Sequence, residues 1–261
     1  MAKRRPSATR IAYLALIEQV EPIIEAYKTS PAAAQVQVYL ISPEPVRKAI
    51  AEIHRYHFPQ GAEQTYRETM AKAGLKAGFG VFSADWLKFI KDFLGDNLLD
   101  TIANQITTTT RNWVAEQIFQ VTERGDSLDD LARILRGRFP RMRSIRIART
   151  ETIRARNAGH LKGYDELVFE ATKVWNSAQQ PRTRGSEKSD KSDHLHMNQQ
   201  EKEVHEPFLD SRSGATLDAP GNLSEGSSGG DADVVSCRCR VTFDPERGPD
   251  GRLIMKPKTP Q

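Results

Sequence analysis

The longest polar stretch of the chain, Ser177 to Asp233, limits most strongly what this sequence can fold into. Ser, Gly, Asp, Asn, Lys and Arg dominate it, and its Leu and Phe residues stand singly. Burial of apolar surface cannot by itself offset the entropy lost in ordering such a segment. A compact domain seldom carries one without a functional or assembly reason. The chain therefore changes character near residue 165, with its core-building elements placed before and after the polar stretch.

Up to that point the pattern is helical. Ile11, Leu14, Ile17, Val20 and Ile24 recur three and four apart, which predicts an apolar stripe over 8–28. Ser30-Pro31 reads as a cap followed by a first-turn proline, and Ser42-Pro43-Glu44-Pro45 repeats that signal to open a segment reaching about His57. Phe58-Pro59-Gln60-Gly61 predicts a break, then a separate helix over 61–77 ended by Gly74, Gly78 and Gly80. Ser83-Ala84-Asp85 caps a candidate carrying Trp86, Phe89, Ile90, Phe93 and Leu94. A longer helix spans about 98–121, Gly125 stops it, and Ser127 starts the next at Leu128. Phe139-Pro140 ends that one, and the last runs from about Met142 to Leu161.

Beyond the helices, Val168 to Trp175 suits a strand, and Val234 to Phe243 alternates as a second one. Residues 244–261 are proline-rich with few apolar anchors and read as a flexible tail. The expected fold class is α+β, with a mainly α-helical N-terminal two-thirds and a small, loop-rich β C-terminal part.

Composition narrows the function classes. Hydrophobic residues are 38% of the chain and charged ones 28%, a balance from which part of it is expected to be extended, solvated or dependent on a partner. A net charge of +4 suits nucleic acid as a neighbour without establishing it. No stretch approaches the roughly 20 apolar residues that span a bilayer, so no membrane is expected. Lys3-Arg4-Arg5 ahead of Ile11 to Ile17 has a signal-like outline, but Glu18 and Glu21 interrupt it and no small-residue cleavage site follows. The two cysteines, Cys237 and Cys239, argue against a disulfide-framed secreted domain and for synthesis in a reducing cytosol. The Gly-Ser run at 224–230 lacks the flanking strand and helix of a phosphate loop, and no nucleophile motif is recognisable.

Three segments carry a resemblance. The first is Ile147-Ala148-Arg149-Thr150-Glu151 with Asn157 and Gly159. The second runs from Val174-Trp175 through Arg182-Thr183-Arg184 to His194-Leu195-His196-Met197-Asn198 and Glu206-Pro207-Phe208. The third is Cys237-Arg238-Cys239 with Val241. In this order they resemble the Mu F-like minor head proteins of tailed phages. Departures are Gln180-Pro181 where an acidic residue usually precedes the paired arginines, a longer loop over 185–193, and Ser236 in place of asparagine.

The resemblance implies a minor capsid protein of the virion, made in the host bacterial cytoplasm and associated with the portal vertex or head interior. It would act in head morphogenesis and in DNA packaging and ejection, as a binding protein and not an enzyme. Its partners would be the portal protein, the major capsid or scaffolding protein, and packaged double-stranded DNA. Residues 1–109 would dock on portal or capsid, 110–243 would be the head-morphogenesis domain, and 244–261 the tail. The alternative is a nuclease- or transferase-like enzyme related to toxins, for which His194, Arg184, Arg149 and Glu151 would be the residues to suspect.

Two groups of side chains have distinctive chemistry. Arg143, Arg146, Arg149, Arg154 and Arg156, with Arg138 and Arg141 just ahead, offer a basic surface for DNA phosphates or an acidic subunit. The plainer reading is a solvated face with structural ion pairs, in which Glu151 pairs with Arg154. Cys237 and Cys239, two apart in a strand, would point to one face and could ligate one metal together with His194 or, next, His205. Zinc accepts that mixture, and a structural zinc would explain how a polar segment stays folded. Cys-x-Cys is not the common zinc spacing, so thiols buried beneath the loop, or redox or intermolecular chemistry, stand beside the metal reading. A disulfide between them would be strained.

Overall fold

The computed structural model describes residues 6–77 and 95–257. About 54% of it is helix, mostly in the N-terminal two-thirds, with small antiparallel sheets of short strands in the C-terminal part. The expected α+β class is what the chain adopts. The candidate helix over 83–94 lies outside the described residues. The described chain divides into two compact units, one of 6–53 with 95–149 and the other of 54–77 with 150–257.

The first unit is helical throughout its regular structure. Helix α1 (Ala8–Tyr27) starts where the Ser7 hydroxyl accepts the Arg10 N–H at 3.2 Å, and α2 (Pro31–Tyr39) where Ser30 accepts that of Ala33 at 3.1 Å. Helix α3 (Glu44–Lys72) begins in this unit, and α4 (Asp96–Arg124) ends at Gly125, whose φ of 70° needs a residue without Cβ. A reciprocal cap between Ser127 and Asp130 opens α5 (Leu128–Arg136). The stripe expected on α1 holds only in its second half, where Val20 and Ile24 are buried, with Ile23, against Val114, Ile118, Val121, Leu131 and Leu135. In the first half Leu14 is exposed, and Ala12, Ala15 and Leu16 are buried instead.

One expected break does not occur, and another lies earlier than expected. Helix α3 runs without interruption through Pro59, although that residue has no N–H to give to the carbonyl one turn back. Packing outweighs the lost bond. Phe58 is fully buried, and the α3 backbone presses on α6 (Arg138–Asp165) at glycines of both helices. A Cβ on Gly61 would lie 2.1 Å from the Arg156 carbonyl oxygen, and one on Gly159 2.1 Å from that of Phe58. The break expected at Phe139-Pro140 falls at Gly137 instead: α5 ends at Arg136 and α6 starts at Arg138, because a first-turn proline forfeits no hydrogen bond.

The second unit packs these helix segments against two sheets. Strand β1 (Ala171–Asn176) lies between β2 (Glu201–Lys202) and β6 (Arg240–Pro245), all antiparallel, with Trp175 opposite Val241. Strands β3 (Phe208–Leu209), β4 (Thr216–Ala219) and β5 (Asn222–Leu223) make the other sheet. Tyr66, Met70, Tyr164, Phe169, Trp175, Phe208, Leu217, Val241 and Phe243 form their common core with both cysteines. Lys173 is buried among them, its ammonium donating to the Asp218 carbonyl at 3.0 Å, and burial pushes its pKa down to about 8.

The C-terminal elements differ from expectation. Residues 231–234 form one helical turn, Ser236 takes a φ of 58°, and the strand begins only at Arg240. Residues expected in the tail are tied down through Pro257. Glu170 donates its N–H to Ile254 at 2.7 Å and Lys256 donates to Val168 at 3.0 Å, because the chain before β1 offers unpaired backbone groups.

His160 on α6 gives this unit an acid sensitivity. It is 3% exposed, its Nδ1 lies 2.7 Å from the Thr65 hydroxyl, and burial lowers its pKa to about 4. The unfolded chain binds the proton near pH 6.5, so the contribution is whole above 6.5 and is lost as pH falls from there toward 4. Urea titrations are expected to show about 3 kcal/mol of pH-dependent loss over that window, absent in His160→Gln. A wild-type loss equal to that of the variant would contradict the assignment.

Candidate metal centre

The polar segment anchors Met197, Phe208, Leu217 and Ala219 in the core, and hydrogen bonds order the rest of it. Asp210 is its hub: its carboxylate accepts from the Ser192 hydroxyl and the Asp193 N–H, each at 2.7 Å, and from the N–H of Arg212 and Ser213. Burial raises the Asp210 carboxyl, but these four bonds outweigh it and hold the group below the usual carboxylate range. Asp193 then closes the turn. It accepts from the His196 N–H at 3.2 Å and lies 2.7 Å from the His196 ring and 2.6 Å from the Arg212 guanidinium. The result turns His196 outward and His194 inward.

A second set of bonds fixes the cysteine loop. Asn157 of α6 donates to the carbonyls of Pro220 and Cys239 and accepts the Val241 N–H at 3.0 Å. The Ser236 N–H donates to the Thr150 hydroxyl at 2.9 Å, and Arg184 donates to the Val235 carbonyl. The neighbouring loop is joined where the Ser177 hydroxyl donates to the His194 carbonyl and the Leu195 N–H to that of Arg184.

These constraints bring His194, Cys237 and Cys239 together, each at most 2% exposed. His194 Nδ1 is 3.6 Å from the Cys237 sulfur and 3.8 Å from that of Cys239, and the three ligand atoms lie within 4.8 Å of one another. A tetrahedral zinc, with bonds of about 2.3 Å to sulfur and 2.0–2.1 Å to nitrogen, sets sulfur and nitrogen about 3.6 Å apart. The donor set and its spacing fit a metal. The cysteines are held there by the loop before β6, not by the expected strand.

Electrostatics already favour thiolate. The hydrogen bond from the Cys237 thiol, with help from His194 and the Ala178 N–H, holds Cys239 well below the usual thiol range. The same bond and burial push Cys237 up. A bound cation would favour the deprotonated form of both thiols, so its binding would release protons. The Trp175 indole and the His194 ring pack in a T-shape, with centroids 5.2 Å apart. The nitrogens Trp175 Nε1 and His194 Nε2 are both enclosed without a hydrogen-bond partner among the described residues.

The remaining candidates are placed differently. His205 is exposed and outside the cluster. Arg143 donates to the Ile106 carbonyl at 2.9 Å and to Thr109, and burial lowers its pKa. Arg154 donates to the Gly221 carbonyl at 3.1 Å and to Glu151 at 2.7 Å, the ion pair that the helical spacing predicts. Glu151 also meets His54 at 3.0 Å. Arg146 and Arg156 are exposed and Arg149 is half-buried. Arg143, Arg146 and Arg149 belong to one unit, Arg154 and Arg156 to the other. Asp193, Asp210 and His54 carry no signal in the sequence that separates them from ordinary polar residues.

No family model, curated protein or solved structure matches the chain. Among the described residues no helix is long and apolar enough to cross a membrane.

Proposed function

We propose that the chain is a minor structural protein of a tailed-phage or prophage head, of the Mu F-like kind, whose C-terminal unit is held by a structural zinc on His194, Cys237 and Cys239. The supporting observation is convergence. The three segments behind the family resemblance lie far apart in sequence, and residues of each contribute to the C-terminal unit. Thr150 and Asn157 hold the cysteine loop, Gly159 lets α6 approach α3, Trp175 packs on His194, and Arg184 ties the two loops. A residue pattern that serves the packing of one unit is a pattern for a scaffold.

The protein binds within the head, at the portal or the inner capsid surface, and acts in head assembly and in packaging or ejection of DNA. Arg146 and Arg156 are exposed, Arg156 while donating to Gln60 at 3.2 Å, and exposed guanidinium groups suit phosphate or acidic partners. An enzymatic reading gains nothing from the geometry: Glu151 is buried against His54 and Arg154, and His194 is 1% exposed.

Sedimentation of assembled heads tests the proposal. The protein is expected to travel with heads and to be captured by the portal protein. If it stays wholly in the soluble fraction and portal retains none, the head assignment fails. Activity on nucleic acid that His194→Ala abolishes would favour the enzyme.

A further inference from the structure

Among the described residues the cluster contains three donor side chains, whereas zinc in a structural site takes four ligands. The identity of the fourth follows from what surrounds the three. Each is at most 2% exposed, so a side chain of another molecule cannot reach the ion and the missing donor must be small. Two thiolates neutralise a divalent cation, and a neutral donor adds no uncompensated buried charge. The sulfurs are already hydrogen-bonded, Cys237 by the Cys239 N–H at 3.4 Å and Cys239 by the Ala178 N–H. That leaves the indole N–H of Trp175, packed on the ligand ring and enclosed without an acceptor.

We propose that the fourth ligand is an enclosed water molecule that accepts a hydrogen bond from the Trp175 indole N–H. The inference rests on the zinc reading above and goes beyond it. Buried waters sit where polar groups otherwise lack partners, and a water on the ion satisfies the ion and the indole together. His194 Nε2, on the other edge of its ring from the sulfurs, plays no part in it. Trp175 is then a positioning residue of the centre as well as a core aromatic, and the site is sealed although the protein supplies only three ligands.

X-ray absorption at the zinc edge, on the full chain loaded with zinc alone, is the test. Two sulfur and two nitrogen or oxygen scatterers are expected. In the same sample the Trp175 indole proton should show a magnetisation-transfer peak to a slowly exchanging water, a signal that disappears in Trp175→Phe. Two sulfurs with a single nitrogen, a third heavy scatterer, or an indole proton with no water contact would each overturn the proposal. Zinc content is measured before the spectra. A chain that takes up none overturns the metal reading itself, a failure distinct from a wrong fourth ligand.

Discussion

Chelation of zinc from the full chain at neutral pH is expected to lower its thermal midpoint by about 10 °C. The size follows from what the centre closes. It joins His194 to cysteines 43 and 45 residues further on. A cross-link around a loop of that length removes about 4 kcal/mol of chain entropy from the unfolded state. For a chain of this size, each kcal/mol moves the midpoint by roughly 2–4 °C. Burial of Met197, Phe208, Leu217 and Ala219 in the shared core, with hydrogen bonds worth about 1 kcal/mol each, holds the rest of the segment, so chelation lowers the midpoint without unfolding the unit outright. Cys239→Ser should melt near the chelated protein and respond to chelator no further. An unchanged wild-type midpoint would mean that the thiols pack without metal.

Gly159→Ala should cost about 3 kcal/mol in urea denaturation, although alanine is the better helix former by about 1 kcal/mol. The added carbon would stand 2.1 Å from the Phe58 carbonyl oxygen, 3.0 Å from its carbon and 3.1 Å from the Ala62 nitrogen. These are backbone atoms of the facing helix, so no side chain can turn aside and α3 and α6 must separate. Gly61 and Gly163 face the same crossing, with oxygens 2.1 and 2.5 Å from their Cβ positions. Separation would also draw Asn157 away from Cys239 and Val241, coupling the crossing to the metal loop. Gly230→Ala is the control, because a Cβ there meets nothing within 4 Å. Equal stability of the two variants would contradict the account.

Much of this was legible in the residues. The helix at α1, the serine caps at Ser30 and Ser127, the stop at Gly125 and the strand around Trp175 all follow from local chemistry, which acts within a turn or two. The face that α1 buries, by contrast, is rotated from the expected stripe in its first half. The continuity of α3 through Pro59 was not legible, because it depends on a helix nearly a hundred residues later. Pairing of Glu151 with Arg154 could be read from helical spacing, whereas its contact with His54 could not. His194, Cys237 and Cys239 were nameable as ligands, yet the loop before β6 came as a correction. Alternation suggests a strand there, and only Ser236 in the left-handed region with the Asn157 clamp shows why it starts late. The choice between His194 and His205 turned on Asp193 and Asp210, whose roles are set by tertiary hydrogen bonds.

The central claim is that a metal ties these distant segments into one folded unit, and the zinc content of the purified full chain tests it most directly. One zinc per chain is predicted in the wild type, with none retained by His194→Ala or Cys239→Ser and one retained by His205→Ala. A folded wild-type chain that carries no metal and binds none when zinc is added would contradict it.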